Sequence, residues 1–125
     1  HRIGTAELES CIVSDDNVAE SAVCGIPDEI KGEVIIAFIV LKDGITTSQV
    51  ILKKNIFTKI RTDIGAIATP KQIYFVSKLP KTRSGKIMRR LLKSIANGEA
   101  IGDTSTLDDA SAVTEIQKIV KENSN

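Results

Sequence analysis

Residues 33–41, EVIIAFIVL, form a nearly unbroken apolar run rich in Val and Ile. Branching at Cβ stiffens the side chain and suits the pleated surface of a sheet. A strand that is apolar throughout, rather than at alternate positions, is one buried on both faces. Any fold for this chain must therefore give that strand cover on two sides. The run is also the longest apolar stretch, and it falls far short of the roughly 18 residues of a membrane-spanning helix.

The neighbouring segments supply the cover. Residues 18–26 read as a second strand, broken by Pro27 and Asp28, and residues 72–76 as a third. The first two strands follow one another with no helix between them, which predicts an antiparallel hairpin. Thr5 is suited to cap a helix over 6–14, with Glu7 and Glu9 in its first turns and Leu8, Cys11 and Ile12 on its apolar face. Thr47 or Ser48 begins a helix reaching about residue 64, where Leu52, Ile56, Phe57, Ile60 and Ile64 recur at helical spacing. Gly65 and then Pro70 stop it. Helices are also expected over 87–96, closed by Asn97 and Gly98, and over 113–122, with 101–109 irregular and 1–4 the end of a strand. The expected fold is a single small α+β domain spanning 1–125: a three-stranded, mostly antiparallel sheet with helices packed on it.

Composition narrows the class. Hydrophobic residues make up 42% and charged residues 26% of the chain, an ordinary globular balance. With no Trp, one Tyr and three Phe, the core must be aliphatic. A net charge of +1 excludes polyanion binding by bulk charge, so functional charge must be local. Cys11 and Cys24 lack metal-ligand spacing and lie in apolar segments. They read as buried thiols, suited to a reducing compartment and a cytoplasmic setting. No signal peptide or initiating Met is present, and a start of HRIGTAE suggests a piece of a longer chain.

The local charge lies between residues 77 and 98. That stretch holds Lys78, Lys81, Arg83, Lys86, Arg89, Arg90 and Lys93 and no acid, while all 16 acids lie elsewhere. Ser84 and Gly85 make the backbone before Lys86 pliable, and Lys86 is expected at the start of a helix, where the dipole favours anions. Three readings compete: a solvated basic face, a polyanion or nucleic-acid module using residues 78–93, and a phosphate loop. The nucleic-acid reading lacks the interleaved aromatics that single strands stack on. The phosphate loop fails, because GxxxxGK[ST] needs an earlier Gly and a Ser or Thr where Ile87 stands. His1 is the only histidine, so neither a nucleophile–histidine pair nor a zinc constellation is available.

The segment PKTRSGKIMRRLL closely resembles the C-terminal signature P-K-T-x-S-G-K of the acyl-adenylate-forming enzymes, which include acyl-CoA synthetases, firefly luciferase and nonribosomal-peptide adenylation domains. HRIGTAELES at 1–10 is similar to the block that follows that family's hinge, and AVCGIPDEIKGE at 22–33 to its A-V-x-G-x-P block. LLKSIANGEAIGDTSTLDDASAV at 91–113 resembles the tail of acetyl-CoA synthetases, GDTSTL being its most discriminating piece. The resemblance spans the chain and implies the C-terminal domain of an AMP-forming acetate–CoA ligase. Its substrates would be acetate, ATP with Mg2+, and CoA, with no tightly bound cofactor, no nucleic acid and no membrane. Such a domain is a lid that rotates on a larger N-terminal domain between adenylation and thioester formation. That domain is its implied partner, and the isolated fragment would be inactive.

Roles carry over by position. Lys86 matches the catalytic lysine of adenylation, with Ser84 and Gly85 supporting its loop. The same lysine is implied as a reversible acetylation site, served by a protein acetyltransferase and a sirtuin deacetylase. Arg2 is implied to contact the nucleotide phosphate region, and Gly4 to leave room for the pantetheine arm of CoA. Arg61 is implied to meet the CoA 3′-phosphate region. The turn bearing Val13, Asp15 and Val18 matches a magnesium site of some relatives, built partly from main-chain carbonyls. Acyl-chain specificity belongs to the larger domain, so acetate rests on the tail resemblance.

Overall fold

The computed structural model describes residues 4–123. Along the chain run α1 (Thr5–Val13), β1 (Val18–Asp28), β2 (Gly32–Leu41), α2 (Gln49–Asp63), a short 3-10 turn (Ala66–Ala68), β3 (Gln72–Phe75), α3 (Arg89–Ala96) and α4 (Ser111–Asn123). The strands form one sheet in the order β1-β2-β3. β1 and β2 make the expected antiparallel hairpin, with Cys24 opposite Ile36 and Ala22 opposite Phe38. β3 runs parallel to β2, with Ala37 opposite Ile73, so the sheet is mixed. The parallel pairing follows from the connection, since α2 carries the chain back to the start of the sheet.

The central strand is β2, and both its faces are covered. Ile36 and Phe38 pack with Ala22, Cys24 and Tyr74 under Leu91, Leu92 and Ile95 of α3 and Val113, Ile116 and Val120 of α4. Ala37 and Ile39 point the other way, packing with Val23 and Ile73 under Leu8 and Ile12 of α1 and Ile56 and Ile60 of α2. The molecule is thus three layers: α1 and α2, the sheet, then α3 and α4. Phe38 is fully buried and stacks on Tyr74, with ring centroids 5.5 Å apart. Its burial contributes about 2–3 kcal/mol. The remaining core is aliphatic, as the composition requires.

Several local expectations shift. Gly4, at φ −69° and ψ 140°, occupies the cap position of α1, and Thr5 is its first helical residue. A strand over 1–4 lies outside the described residues except for Gly4. Ser48 is the cap of α2, its hydroxyl accepting the Ile51 N–H at 3.3 Å. Pro27 does not end β1 but pairs with Glu33 near its tip. That is tolerable because β1 is an edge strand, where a missing donor can face outward. Cys24 is buried but Cys11 only half-buried, and both are free thiols. They sit on opposite faces of the sheet. Among the described residues no helix is long and apolar enough to cross a membrane.

Candidate functional site

Residues 80–88 fold as a tight hairpin projecting ahead of α3. Lys81 and Ile87 form an antiparallel bridge, and the Met88 N–H donates to the Pro80 carbonyl at 2.9 Å. At the tip, the Gly85 N–H donates to the Thr82 carbonyl and the Thr82 N–H to the Lys86 carbonyl, each at 2.9 Å. The Thr82 hydroxyl oxygen accepts the Lys86 N–H at 3.2 Å and lies 2.9 Å from the Ser84 hydroxyl. Gly85 sits at φ +91°, the left-handed conformation that closes such three-residue turns and that glycine adopts without penalty. Lys86 therefore leaves the turn on a shoulder of the hairpin. The expectation that it stands at the start of a helix is corrected: Ile87 is held in the bridge, and α3 begins only at Arg89.

The fold sorts the basic run. Lys78 pairs with Asp109, whose carboxyl is pushed well below its ordinary range by that ammonium and then by Ser111. Lys81 pairs with Glu20 of β1 at 2.5 Å. Arg89 grips Glu9, its Nε donating to Oε2 at 2.9 Å and its Nη2 to Oε1 at 2.6 Å. Arg90 donates to the carbonyls of Ile101 and Asp103, both at 3.1 Å. Arg83, Lys86 and Lys93 are exposed and make no side-chain hydrogen bond or ion pair among the described residues. Lys86 borders an open groove of about 370 Å3 lined by Thr82, Ile87, Met88, Arg89 and Arg90. A free ammonium on a stiff turn is equipped to meet an anion that another body brings to it. Division of the charges also breaks up the continuous polyanion-binding face that residues 78–93 suggest in the sequence.

Ser84 and Gly85 share the turn with Lys86, whereas the other expected site residues that are described stand on other elements. Arg61 lies in the last turn of α2, in the opposite helix layer, exposed beside a groove of about 430 Å3 lined by Val50, Lys53, Lys54, Phe57 and Thr58. Gly4 precedes α1, and a Cβ placed there meets nothing within 4 Å in this chain. Arg2 lies outside the described residues. At the end of α1, the Asp15 carboxylate Oδ1 accepts the Asn17 N–H at 2.8 Å, and its carbonyl accepts the Val18 N–H at 3.1 Å. Val13 is the last residue of α1 and Val18 the first of β1. The described residues hold no group of three or more His, Cys, Asp or Glu side chains placed to bind a metal ion. A cation at this turn would rely on Asp15 Oδ2 and main-chain carbonyls, a sparse donor set for magnesium.

One arrangement escapes the sequence reading. Glu9, expected only as an acid in an early helical turn, also accepts the Val23 N–H of β1 at 2.8 Å, while its carbonyl accepts the Ser21 hydroxyl at 3.0 Å. Its side chain is only 13% exposed. The available signal is its spacing: Glu9 stands three residues before buried Ile12, on the flank of α1 that faces the sheet.

Comparison with known proteins places the chain. The model of the family described as AMP-binding enzyme C-terminal domain matches residues 7–86, more than half of the chain and ending on Lys86. An acetyl-coenzyme A synthetase of Pyrobaculum arsenaticum is 57% identical over 98% of this chain and 18% of its own length. A 3-hydroxypropionyl-coenzyme A synthetase of Metallosphaera sedula is 50% identical over the same shares. The solved acetoacetyl-CoA synthetase of Streptomyces lividans superposes on 98% of this chain and 19% of its own with a TM-score of 0.79. At 21% identity it shows a shared fold. The chain thus spans about a fifth of the length of the curated relatives it matches. From the matched span and the fold together, the chain belongs to the family of AMP-binding enzyme C-terminal domains.

Proposed function

We propose that this chain is the mobile C-terminal domain of an AMP-forming acetate–CoA ligase, working against a large N-terminal domain that holds the nucleotide and the acyl group. In the first step an acetate oxygen attacks the α-phosphorus of ATP, brought as its Mg2+ complex, and diphosphate leaves. In the second the CoA thiolate attacks the acyl carbon of acetyl-adenylate, and AMP leaves. Lys86 acts in the first. Its ammonium lies between acetate and α-phosphate oxygens and offsets the negative charge that builds during in-line displacement. Arg2 and Gly4 serve the second step at the nucleotide and the pantetheine arm, and Arg61 meets the 3′-phosphate end of CoA. Alone, the chain would make no acetyl-CoA, because the other domain holds the nucleotide and the acyl group.

The observation that carries this reading is Lys86, exposed and without a side-chain partner among the described residues, on a hairpin whose flanking cations are mostly held by internal partners. The same exposure makes Nζ accessible to an acetyltransferase and to a sirtuin deacetylase. Acetylation would abolish the charge and with it the first step. Acetate itself is supported by the Pyrobaculum relative. The 3-hydroxypropionyl relative is nearly as similar over an equal share of the chain, as expected if the acyl pocket lies in the other domain.

The test is Lys86→Ala in the full-length enzyme. Loss of one preorganised charge from the transition state should cut acetate-dependent ATP–pyrophosphate exchange roughly a hundred- to a thousandfold. Thioester formation from supplied acetyl-adenylate should stay close to the parent rate. Exchange at the parent rate would remove Lys86 from the mechanism.

A further inference from the structure

Lys86 can act only if its hairpin is held still relative to the domain that swings it, and the structure shows what holds it. Two ion pairs tie the hairpin and its exit, and the leading leg is also bridged through its backbone, Thr82 pairing with Leu107 and the Asp108 N–H donating to the Lys81 carbonyl at 2.9 Å. On the leading leg, Lys81 reaches Glu20; that pair is about one-third exposed on both sides and joined by a single contact. Exposed pairs of this kind contribute little. On the trailing leg, Arg89, three residues after Lys86, places both arms of its guanidinium fork on the two oxygens of Glu9. Such a fork fixes orientation as well as distance. Glu9 is largely withdrawn from water, and its Oε2 also takes the Val23 amide on the free edge of β1. A single carboxylate therefore joins α1, the edge of the sheet and the first residue of α3. The cap position of α3, Met88, has no side-chain cap; besides the clamp, Arg90 in the same first turn is tied to the carbonyls of Ile101 and Asp103.

We propose that Glu9 is a positioning residue for the adenylation step: by fixing Arg89 against β1 and α1 it sets the direction in which the hairpin presents Lys86. This inference rests on the adenylating role proposed for Lys86. Removing the clamp leaves the ammonium intact but lets its base move, and a displacement of the order of 1 Å in a positioned group costs up to about a hundredfold in rate. Of the described residues proposed for the thioester step, Arg61 is in α2 and Gly4 precedes α1, and neither touches the hairpin's fork. The clamp should therefore matter to one half-reaction and not to the other.

The experiment compares Glu9→Gln, Arg89→Gln, the double variant and Lys86→Ala in the full-length enzyme. It measures kcat and KM for ATP–pyrophosphate exchange, thioester formation from supplied acetyl-adenylate, and melting temperature. Glu9→Gln is expected to lower exchange kcat roughly ten- to a hundredfold with KM for ATP and acetate little changed, and to spare thioester formation. Because the two side chains act as one unit, the double variant should be no slower than the worse single one. Should Glu9→Gln fail to fold, Arg89→Lys decides, since it keeps the charge but loses the fork, and the same split is expected. Unchanged exchange in the folded variant overturns the proposal. So does an equal fall in both half-reactions that tracks a lower melting temperature, which would mark Glu9 as merely structural. If Lys86→Ala itself retains exchange, the lysine assignment falls and this proposal with it. If Lys86→Ala loses exchange while Glu9→Gln keeps it, this proposal alone falls.

Discussion

Gly85 is the residue on which the hairpin geometry turns. A Cβ there would meet nothing within 4 Å, so steric exclusion plays no part. What forbids a side chain is the φ of +91°, and an L-residue held in that region costs about 1–2 kcal/mol. Gly85→Ala is expected to lower stability by about that amount, read from a urea midpoint. It should also lower ATP–pyrophosphate exchange beyond what the small unfolded fraction explains, because relaxing the turn re-aims Lys86. A second residue-scale outcome concerns Cys24. Burial pushes its thiol up to about 11 from an ordinary 9.0. The folded state thus holds the thiol proton to higher pH than the unfolded chain does. The contribution is intact below about pH 9 and is lost as pH rises through 11, the full difference being about 2–3 kcal/mol. Urea titrations at pH 8 and pH 10.5 should show this fall in the parent and a shallower one in Cys24→Ala. Equal slopes in the two would mean that the buried thiol does not drive alkaline unfolding.

At the scale of elements, what could be read in advance is what local pattern decides. Residues 33–41 announced a doubly covered strand, and β2 is one; the spacing of Leu52, Ile56 and Ile60 announced the buried face of α2. The β1–β2 hairpin followed from two strands with no helix between them. What stayed hidden is what distant partners decide. Ile87 belongs by propensity to the following helix, yet its bridge to Lys81 pulls it into the hairpin and delays α3 to Arg89. Pro27 reads as a breaker, but an edge strand tolerates it. Seven clustered cations read as one basic face because the acids that neutralise several of them come from far away: Glu9 lies 80 residues before Arg89 in the chain, and Asp109 lies 31 after Lys78. For the same reason Lys86 was visible as a motif residue, whereas the carboxylate that braces its hairpin was not.

At the scale of the whole chain, the residues proposed for the two half-reactions lie in different layers. Lys86 precedes α3 on one side of the sheet, and Arg61 closes α2 on the other, with β2 and its two packed faces between them. A rigid three-layer body with distinct functional groups on opposite faces suits a lid that is turned rather than deformed, since packed cores transmit motion without bending. The two faces should then fail independently. Arg61 is exposed, makes no side-chain hydrogen bond or ion pair among the described residues, and borders a groove that also carries Lys53 and Lys54. Losing one charged hydrogen bond to phosphate at such a site costs about 1.5 kcal/mol, or roughly tenfold in affinity. Arg61→Ala in the full-length enzyme should therefore raise KM for CoA about tenfold in the overall reaction while leaving ATP–pyrophosphate exchange at the parent rate. Removing the 3′-phosphate from the substrate should have the mirror effect: dephospho-CoA should be a poor substrate for the parent and should lose little further with Arg61→Ala. A full additional loss with dephospho-CoA would mean that Arg61 does not read that phosphate. A fall in exchange would mean that the two faces do not work separately.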